Sequence, residues 1–544
     1  MSDICKSRNM RYNKTEVWFV RRWMIAAFFA VFLLLGLFTA GDYGPSWDEM
    51  DEMDILRMNL WEYTRTLGLD ETAFERRAAD ENTLTINRLV PVSQSIEQDH
   101  GIALFYPLAG VVMNDSLTES QRSALWHMGC WTVFTLGAFA LYAACRELGL
   151  SRAAALVGPL LLLLSPQFFA HGHVNNKDIA LMSLALCVLW QGLKLLKKPA
   201  FSTGVWFSLF GALAANTKVA GAALWALCAL LVLVAQVVNR RLNARTWAVA
   251  GVTLAAFFGF YALITPALWQ NPAAFVRYLV DNALAFQRWQ NHVLFRGSVF
   301  QLRTQNLPWY YLPYMILATT PLWTLGLIAF GNGKAFARLP GANKDERLSL
   351  LMAVLMWAVP LGFAVITRTH VYNGWRHFYF VYGPMLVLAA WGAAKLWKKR
   401  VFAIAMALCL AVSAIGVVTQ HPYQYAYYQP LVQLRGTDYN ELDYWNISAR
   451  AALQQLADQT VGEITIAAAD LWSEDALRKA LWALPEEMAV RFTVSENAQY
   501  ILANATYENL SGFDAQGLQE KVVISSYGQP IMRVYEDTKG AVQP

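Results

Sequence analysis

Charged residues are scarce in this chain. They make up 15% of its 544 residues, where ordinary soluble domains carry roughly 25%. That shortage excludes a single soluble globule. Cysteine is also scarce: Cys5, Cys130, Cys145, Cys187, Cys228 and Cys409 are the only six. None is expected in a long outer loop and none has metal-ligand spacing. A disulfide framework and a structural zinc are therefore not expected. The N-terminal apolar run lacks a small-residue cleavage site, so it reads as an uncleaved first span. Neither an internal repeat nor the inverted pair of broken helices that transporters show is visible. The net charge of +5, from 44 Lys+Arg against 39 Asp+Glu, is not a nucleic-acid signal. The basic residues sit in short loops between apolar runs.

What the chain has in excess is apolar sequence, 56% of its residues, in blocks of about 15 to 20 residues, which is the signature of a polytopic membrane protein. The expected fold is mainly α. It has about eleven transmembrane helices and a small C-terminal α/β domain outside the cytoplasm. The expected spans are residues 23–40, 123–145, 152–164, 179–193, 201–215, 219–239, 248–264, 311–330, 348–366, 376–394 and 401–418. Residues 1–22 form the N-terminus, 23–419 the membrane domain with long loops 41–122 and 265–308, and 420–544 the tail. Lys and Arg crowd every second short loop, always on the side of the N-terminus. The positive-inside rule puts that side in the cytoplasm of a cell (inner or plasma) membrane and the tail outside. In the tail, ITIAAAD, RFTV and QYILAN read as strands and residues 473–484 as a helix. VVISSYGQPIMRVYE reads as a hairpin turning at residues 527–530.

The rest of the chain is organised around residues 41–54, GDYGPSWDEMDEMD, an acidic cluster where the first span leaves the bilayer. Ser46 followed by Glu49 reads as a capping box, so a helix is expected to start here. On that helix Asp48, Glu52 and Ile55 share one face, and Glu49, Met53, Leu56 and Leu60 another. Asp48 is then expected to face away from the packed side. Two other outer segments concentrate charge. One is His171-Gly172-His173-Val174-Asn175-Asn176-Lys177-Asp178, read as a loop before the fourth span. There Asn176 or Asp178 could simply cap the helix and Lys177 could snorkel. His171 and His173 could be ligands or plain polar loop residues; two apart, they are poorly placed for one helix face. The other set is Lys218, at an outer turn, with Arg368, His370, Arg376 and His377. A cation on that side is on the wrong side for topology and suits a phosphate, or a lipid headgroup.

Acids from one loop facing cations from others fit one reaction. A sugar on a lipid phosphate is attacked at its anomeric carbon by an acceptor hydroxyl. A carboxylate takes the proton, a contribution of about 10²–10⁴-fold, and fixed positive charge receives the departing phosphate. Asp48 is the expected base. Lys177, Lys218 and Arg376 are expected to hold phosphate, with His171, His173 and His377 as further binding residues. Asp178 would position the acceptor, orient a lysine or bind a divalent ion. Glu49 reads better as the partner of Ser46 than as a second base. No cofactor is required; a divalent cation shared by Asp48 and Asp178 stays open.

At these residues the chain resembles the GT-C superfamily of membrane glycosyltransferases. The resemblance is greatest to the branch of protein O-mannosyltransferases and lipid A aminoarabinose transferases. That branch has an Asp-Glu pair in its first outer loop, matching Asp48-Glu49, and an acidic residue before its fourth span, matching Asp178. FFAHGHVNNKD, WRHFYF and HPYQYAYYQPLV followed by ELDYW are similar to a group of its bacterial members. The resemblance covers residues 23–418. It implies a polyprenyl-phosphate sugar as donor and inversion at the anomeric carbon, with membrane lipids as neighbours and an envelope lipid, glycan or protein as acceptor. The Trp-Trp-Asp-Tyr-Gly motif of oligosaccharyltransferases is missing, which disfavours en bloc transfer. A transporter or flippase of a lipid-linked or anionic solute is the alternative, and an envelope scaffold a third.

Three outer features are less specific. Residues 271–289 could form an amphipathic helix on the membrane, burying Phe275, Leu279 and Leu284. LPWYYLPY, residues 307–314, reads as an interfacial aromatic belt. The tyrosines after the last span, with Trp445, could stack on sugar or dock the tail.

Overall fold

The computed structural model describes residues 21–79, 89–284, 292–436, 439–469, 471–506 and 518–537. Cys5 lies outside them. The chain is a mostly helical, multi-pass membrane protein. Among the described residues eight helices are long and apolar enough to cross a bilayer: Arg22–Asp42, Glu119–Glu147, Asp178–Lys197, Val219–Val238, Ala244–Ile264, Lys344–Thr367, Arg376–Leu396 and Arg400–Thr419. Two bent pairs bring the number to at most ten. Arg152–Leu163 meets Pro166–Val174 at 72°, and Tyr311–Thr319 meets Leu322–Gly341 at 118°.

Among the described residues the count by length and apolarity is thus eight to ten, against the eleven expected. The run at 311–330 is broken at Thr320-Pro321, because proline can begin a helix but cannot continue one. The fifth run forms the helix Phe201–Thr217, only 17 residues. That is the lower end of the roughly 17–25 residues that cross a bilayer, so this helix is the eleventh candidate.

The helix Asp178–Lys197 runs through the middle of the bundle, with 89% of its apolar window buried against 11% for Ala244–Ile264. Helix Glu119–Glu147 lies close against it at Gly137. A Cβ there would stand 2.3 Å from Ser183 Oγ. The first residue of this central helix is Asp178, so one of the candidate acids is fixed by the most enclosed of the eight long apolar helices.

A second apolar cluster lies under the long segment after the first span. It gathers Met53, Ile55, Leu56, Met58, Trp61, Phe74, Trp126 and Phe275. The helix Pro272–Leu284 belongs to it. Phe275 is 3% exposed there and Leu279 packs beside it. The amphipathic face expected on the membrane is thus turned onto protein. Leu284's side chain lies outside the described residues. The aromatic belt is divided in the same way: Trp309 is exposed, while Tyr311 is buried and accepts the Gly374 N–H at 3.0 Å.

A short hairpin, β1 His292–Phe295 and β2 Ser298–Gln301, precedes the eighth apolar run and touches the tail through Phe295 and Asn440. The tail sheet is built from β3 Ile464–Ala468, β4 Phe492–Val494, β5 Tyr500–Asn504, β6 Gln519–Ser526 and β7 Gln529–Glu536. Their order is β4-β3-β5-β7-β6. The first three are parallel; β7 is antiparallel to β5 and β6. The hairpin turns at Tyr527-Gly528, with φ of 51° and 73°, the positive values that a two-residue turn between twisted strands requires. Helix Leu471–Trp482 stands where residues 473–484 predict one.

Candidate active site

The acidic helix is Glu49–Thr66, with Asp48 rather than Ser46 at its N-cap. Half of the expected capping box forms: the Ser46 N–H donates to Glu49 Oε2 at 3.3 Å. The other half does not, because the buried Ser46 hydroxyl turns to the Val174 carbonyl at 3.5 Å. Asp48 makes no side-chain cap bond, although N-cap aspartates usually accept from the first turn. Its carboxylate is left for other partners. On the face shared by Asp48, Glu52 and Ile55, Asp48 is the exposed residue, while Glu52 and Ile55 are buried. Glu49, Glu52, Asp54, Arg57 and Glu62 are all buried along with its apolar residues. Glu49 and Glu52 meet His127 and Lys177, and Met53, Ile55, Leu56 and Met58 join the second cluster.

Asp48, Asp178, Lys218 and Arg376 come from four separate segments and meet at the span ends. Arg376 Nη1 stands 3.6 Å from Asp48 Oδ2 and 3.8 Å from Asp178 Oδ2. Lys218 Nζ donates to Asp178 Oδ1 at 2.5 Å and lies 3.4 Å from His377 Nδ1. Asn175 completes the coordination of Asp178, accepting its N–H at 2.9 Å and donating to Oδ2 at 3.0 Å. Asn175 therefore does the capping considered for Asn176 or Asp178. The Arg376 guanidinium lies over the rings of Trp445 and Tyr372, 4.6 and 5.1 Å from their centroids. The Asp48 side chain is 37% exposed, while those of Asp178 and Arg376 are 1% and 9% exposed. Water reaches the group from the Asp48 side.

Lys177 sits beside this group but is paired elsewhere. Its Nζ bonds Glu52 and lies 3.1 Å from His100 Nδ1, and His100 pairs with Glu97. Asn176 donates to the other Glu52 oxygen at 3.0 Å. Burial opposes the Lys177 charge, yet Glu52, Glu97 and Asp48 outweigh it and hold its pKa above the usual lysine value. For Lys218 burial prevails, and its pKa falls below the usual value although Asp178 opposes the shift.

The other predicted site residues have different surroundings. The segment read as a loop around His171 is the helix Pro166–Val174, started by Pro166. His171 is fully buried. Trp445 Nε1–H donates to its Nδ1 at 3.3 Å, which in the neutral ring leaves Nε2–H facing the Tyr379 and Tyr444 hydroxyls at 2.9 and 3.1 Å. His173 points the opposite way. It stacks between Tyr43 and Trp131, at 4.5 and 4.3 Å, and contacts the carbonyls of Phe169 and Gly36. Glu49 is also turned away, onto His127 Nε2 at 2.7 Å, and His127 Nδ1 meets the Ala40 carbonyl. Arg368 and His370 line a separate groove with Gln305, Asn306 and Trp309. Among the described residues no three His, Cys, Asp or Glu side chains converge as a metal site would need.

Sequence reasoning did not single out Glu52, His100 or Tyr372. Glu52 was within reach, four residues from Asp48 on the same helical face. His100 and Tyr372 carry no local signal; only the folded chain brings them to Lys177 and Arg376.

In class this is a multi-pass helical membrane protein with an α/β tail, its buried ion pairs gathered where the spans end. Residues 117–269 match the family model of dolichyl-phosphate-mannose-protein mannosyltransferases. The matched stretch includes Lys177, Asp178 and Lys218 and excludes Asp48 and Arg376. Among curated proteins no sequence match is found. Among solved structures, ArnT from Cupriavidus metallidurans in the apo state aligns at 15% identity over 94% of this chain and 97% of that one, with a TM-score of 0.49. The same protein bound to undecaprenyl phosphate aligns at 14% identity over 96% and 100%, with a TM-score of 0.47. The apo oligosaccharyltransferase of Archaeoglobus fulgidus aligns at 13% identity over 90% and 70%, with a TM-score of 0.44.

Proposed function

We propose that the chain is an inverting glycosyltransferase. It moves a sugar from a polyprenyl-phosphate carrier to an envelope acceptor (a lipid, a glycan or a protein). The reaction takes place on the outer face of the cell membrane, with the N-terminus in the cytoplasm and the tail outside. The observation that carries this reading is that Asp48 and Asp178 converge on one guanidinium, Arg376, with Lys218 on the far side of Asp178. The family-model match over Lys177, Asp178 and Lys218 supports the same chemistry.

In this reading the acceptor hydroxyl gives its proton to Asp48, the exposed acid. The oxygen attacks the anomeric carbon from the face opposite the phosphate. The bond from that carbon to the phosphate oxygen breaks, and the electron pair leaves with the lipid phosphate. Lys177 and Lys218 are each held tightly by a carboxylate. Arg376 differs from them. Its two carboxylates stand beyond hydrogen-bond distance, and its Nε has no partner. With five N–H donors, it has the most to offer an arriving phosphate. No cofactor is needed. Arg376 already stands between the two acids that would share a divalent ion.

The test is a panel of radiolabelled polyprenyl-phosphate sugars given to the purified protein in detergent with an envelope extract. Transfer from at least one donor to a non-lipid-phosphate product is expected. A folded protein that transfers from none of them contradicts the proposal.

A further inference from the structure

Resting on that reading, we infer that Lys479, a residue of the tail, is a positioning residue for Asp48. Lys479 lies on the helix Leu471–Trp482, far along the chain from the first span. Its side chain is 2% exposed. Its Nζ donates to the Trp47 carbonyl at 2.9 Å and to Asp51 Oδ2 at 3.0 Å, and pairs with Asp475 Oδ2 at 2.7 Å. Of the three donors of an ammonium, two are used in these hydrogen bonds, and Asp475 adds an ion pair. The two hydrogen bonds go to residues that bracket Asp48: the peptide immediately before it and the first turn of the helix after it.

Asp48 needs such support. Its carboxylate makes no cap bond, and its contact with Arg376 is 3.6 Å long. Its own side-chain contacts therefore do not fix its place; the backbone around it must. That backbone is held repeatedly by the chain that follows the last span. Arg450 donates to the carbonyls of Gly41 and Asp42 at 3.0 and 2.9 Å. Tyr43 donates to Gln424 at 3.0 Å. Gly44 lies so close to the Ile447 carbonyl that a Cβ would stand 2.3 Å from its oxygen. The Trp47 N–H donates to the Trp445 carbonyl at 3.0 Å. Of these anchors, Lys479 is the one that spans Asp48 from both sides.

A base displaced by a fraction of an ångström loses rate without losing its substrate. The test is the double variant Lys479→Met with Asp51→Asn, which removes the cation together with the more buried of its two carboxylates and leaves Asp475, the more exposed one, as the single unpaired charge. Transfer is measured at varied donor concentration, beside the wild type. The expected result is a donor KM within about twofold of the wild type and kcat lower by about tenfold or more, with Lys479→Arg restoring part of it. Unchanged kcat in the folded double variant overturns the inference while leaving the proposed function standing. A wild type that transfers no sugar overturns both. Should the double variant fail to fold, Lys479→Gln, which can still donate to Trp47, replaces it: a fall in kcat at constant KM supports the role, and an unchanged kcat rejects it.

Discussion

Arg376 stands between Asp48 and Asp178, with Nη1 3.6 Å from one and 3.8 Å from the other. One buried cation thus joins the start of the first outer segment to the start of the central helix. Replacing it with Gln leaves Asp178 buried with one cation fewer and frees Asp48. Breaking a buried pair of this kind costs on the order of 3 kcal/mol. Arg376→Gln is expected to lower the melting temperature in detergent and abolish transfer. Arg376→Lys is expected to recover stability more than activity, since an ammonium cannot reproduce the planar fork or its stacking on Trp445.

Glu49 tests which half of the Asp-Glu pair does chemistry. It is buried on His127, away from Arg376. Glu49→Gln keeps a group that can bond the imidazole. The expected outcome is a protein with lower thermal stability and kcat within a few-fold of the wild type. A loss as deep as that expected for Asp48→Asn would assign Glu49 to the reaction.

Chelation tests the electrostatics directly. With Arg376 already between the two acids, transfer is expected to survive EDTA and extensive dialysis. Loss of activity on chelation, restored by a divalent cation, would replace the guanidinium-centred account with a metal-centred one.

Much of this arrangement is legible in the sequence because membrane placement is written in apolar run length and in the position of Lys and Arg. Lys177-Asp178, Lys218 and Arg376 all stand out as charges at span ends, where a charge is expensive. What is not legible is set by tertiary contact. Whether Lys177 faces Asp48 or Glu52 depends on how a loop packs. Nothing in HGHVNNKD says that His171 turns toward Trp445 while His173 turns toward the first span. The breaks at Pro166 and Pro321 are marked by proline, but their bends of 72° and 118° come from the helices that receive them. The tail's strands follow from alternation and turn residues. Its grip on residues 41–48 does not, because those contacts join positions about 400 residues apart in the chain.

Glu441, beside the site, gives a pH prediction. It is 3% exposed, and burial pushes its carboxyl up to about 8 against the pull of the Leu294 and Gly374 N–H groups and of Arg376. Between its ordinary value of 4.5 and about 8 the folded chain keeps a proton that the unfolded chain has released. Stability from this group is therefore greatest at low pH and declines as pH rises through that window. Glu441→Gln is expected to flatten the decline and raise the melting temperature most at about pH 8. Melting curves across the window, with the slope unchanged in the variant, would show that Glu441 is not its source.

The account depends most on Asp48 as the group that accepts the proton. Its side chain is 37% exposed, so Asp48→Asn is expected to fold as the wild type does. The deciding measurement is single-turnover transfer of labelled sugar from a polyprenyl-phosphate donor that the wild type uses, with donor binding measured alongside. The predicted result for Asp48→Asn is unchanged donor binding and a transfer rate lower by about 10²-fold or more. Transfer at the wild-type rate by the folded variant would contradict it.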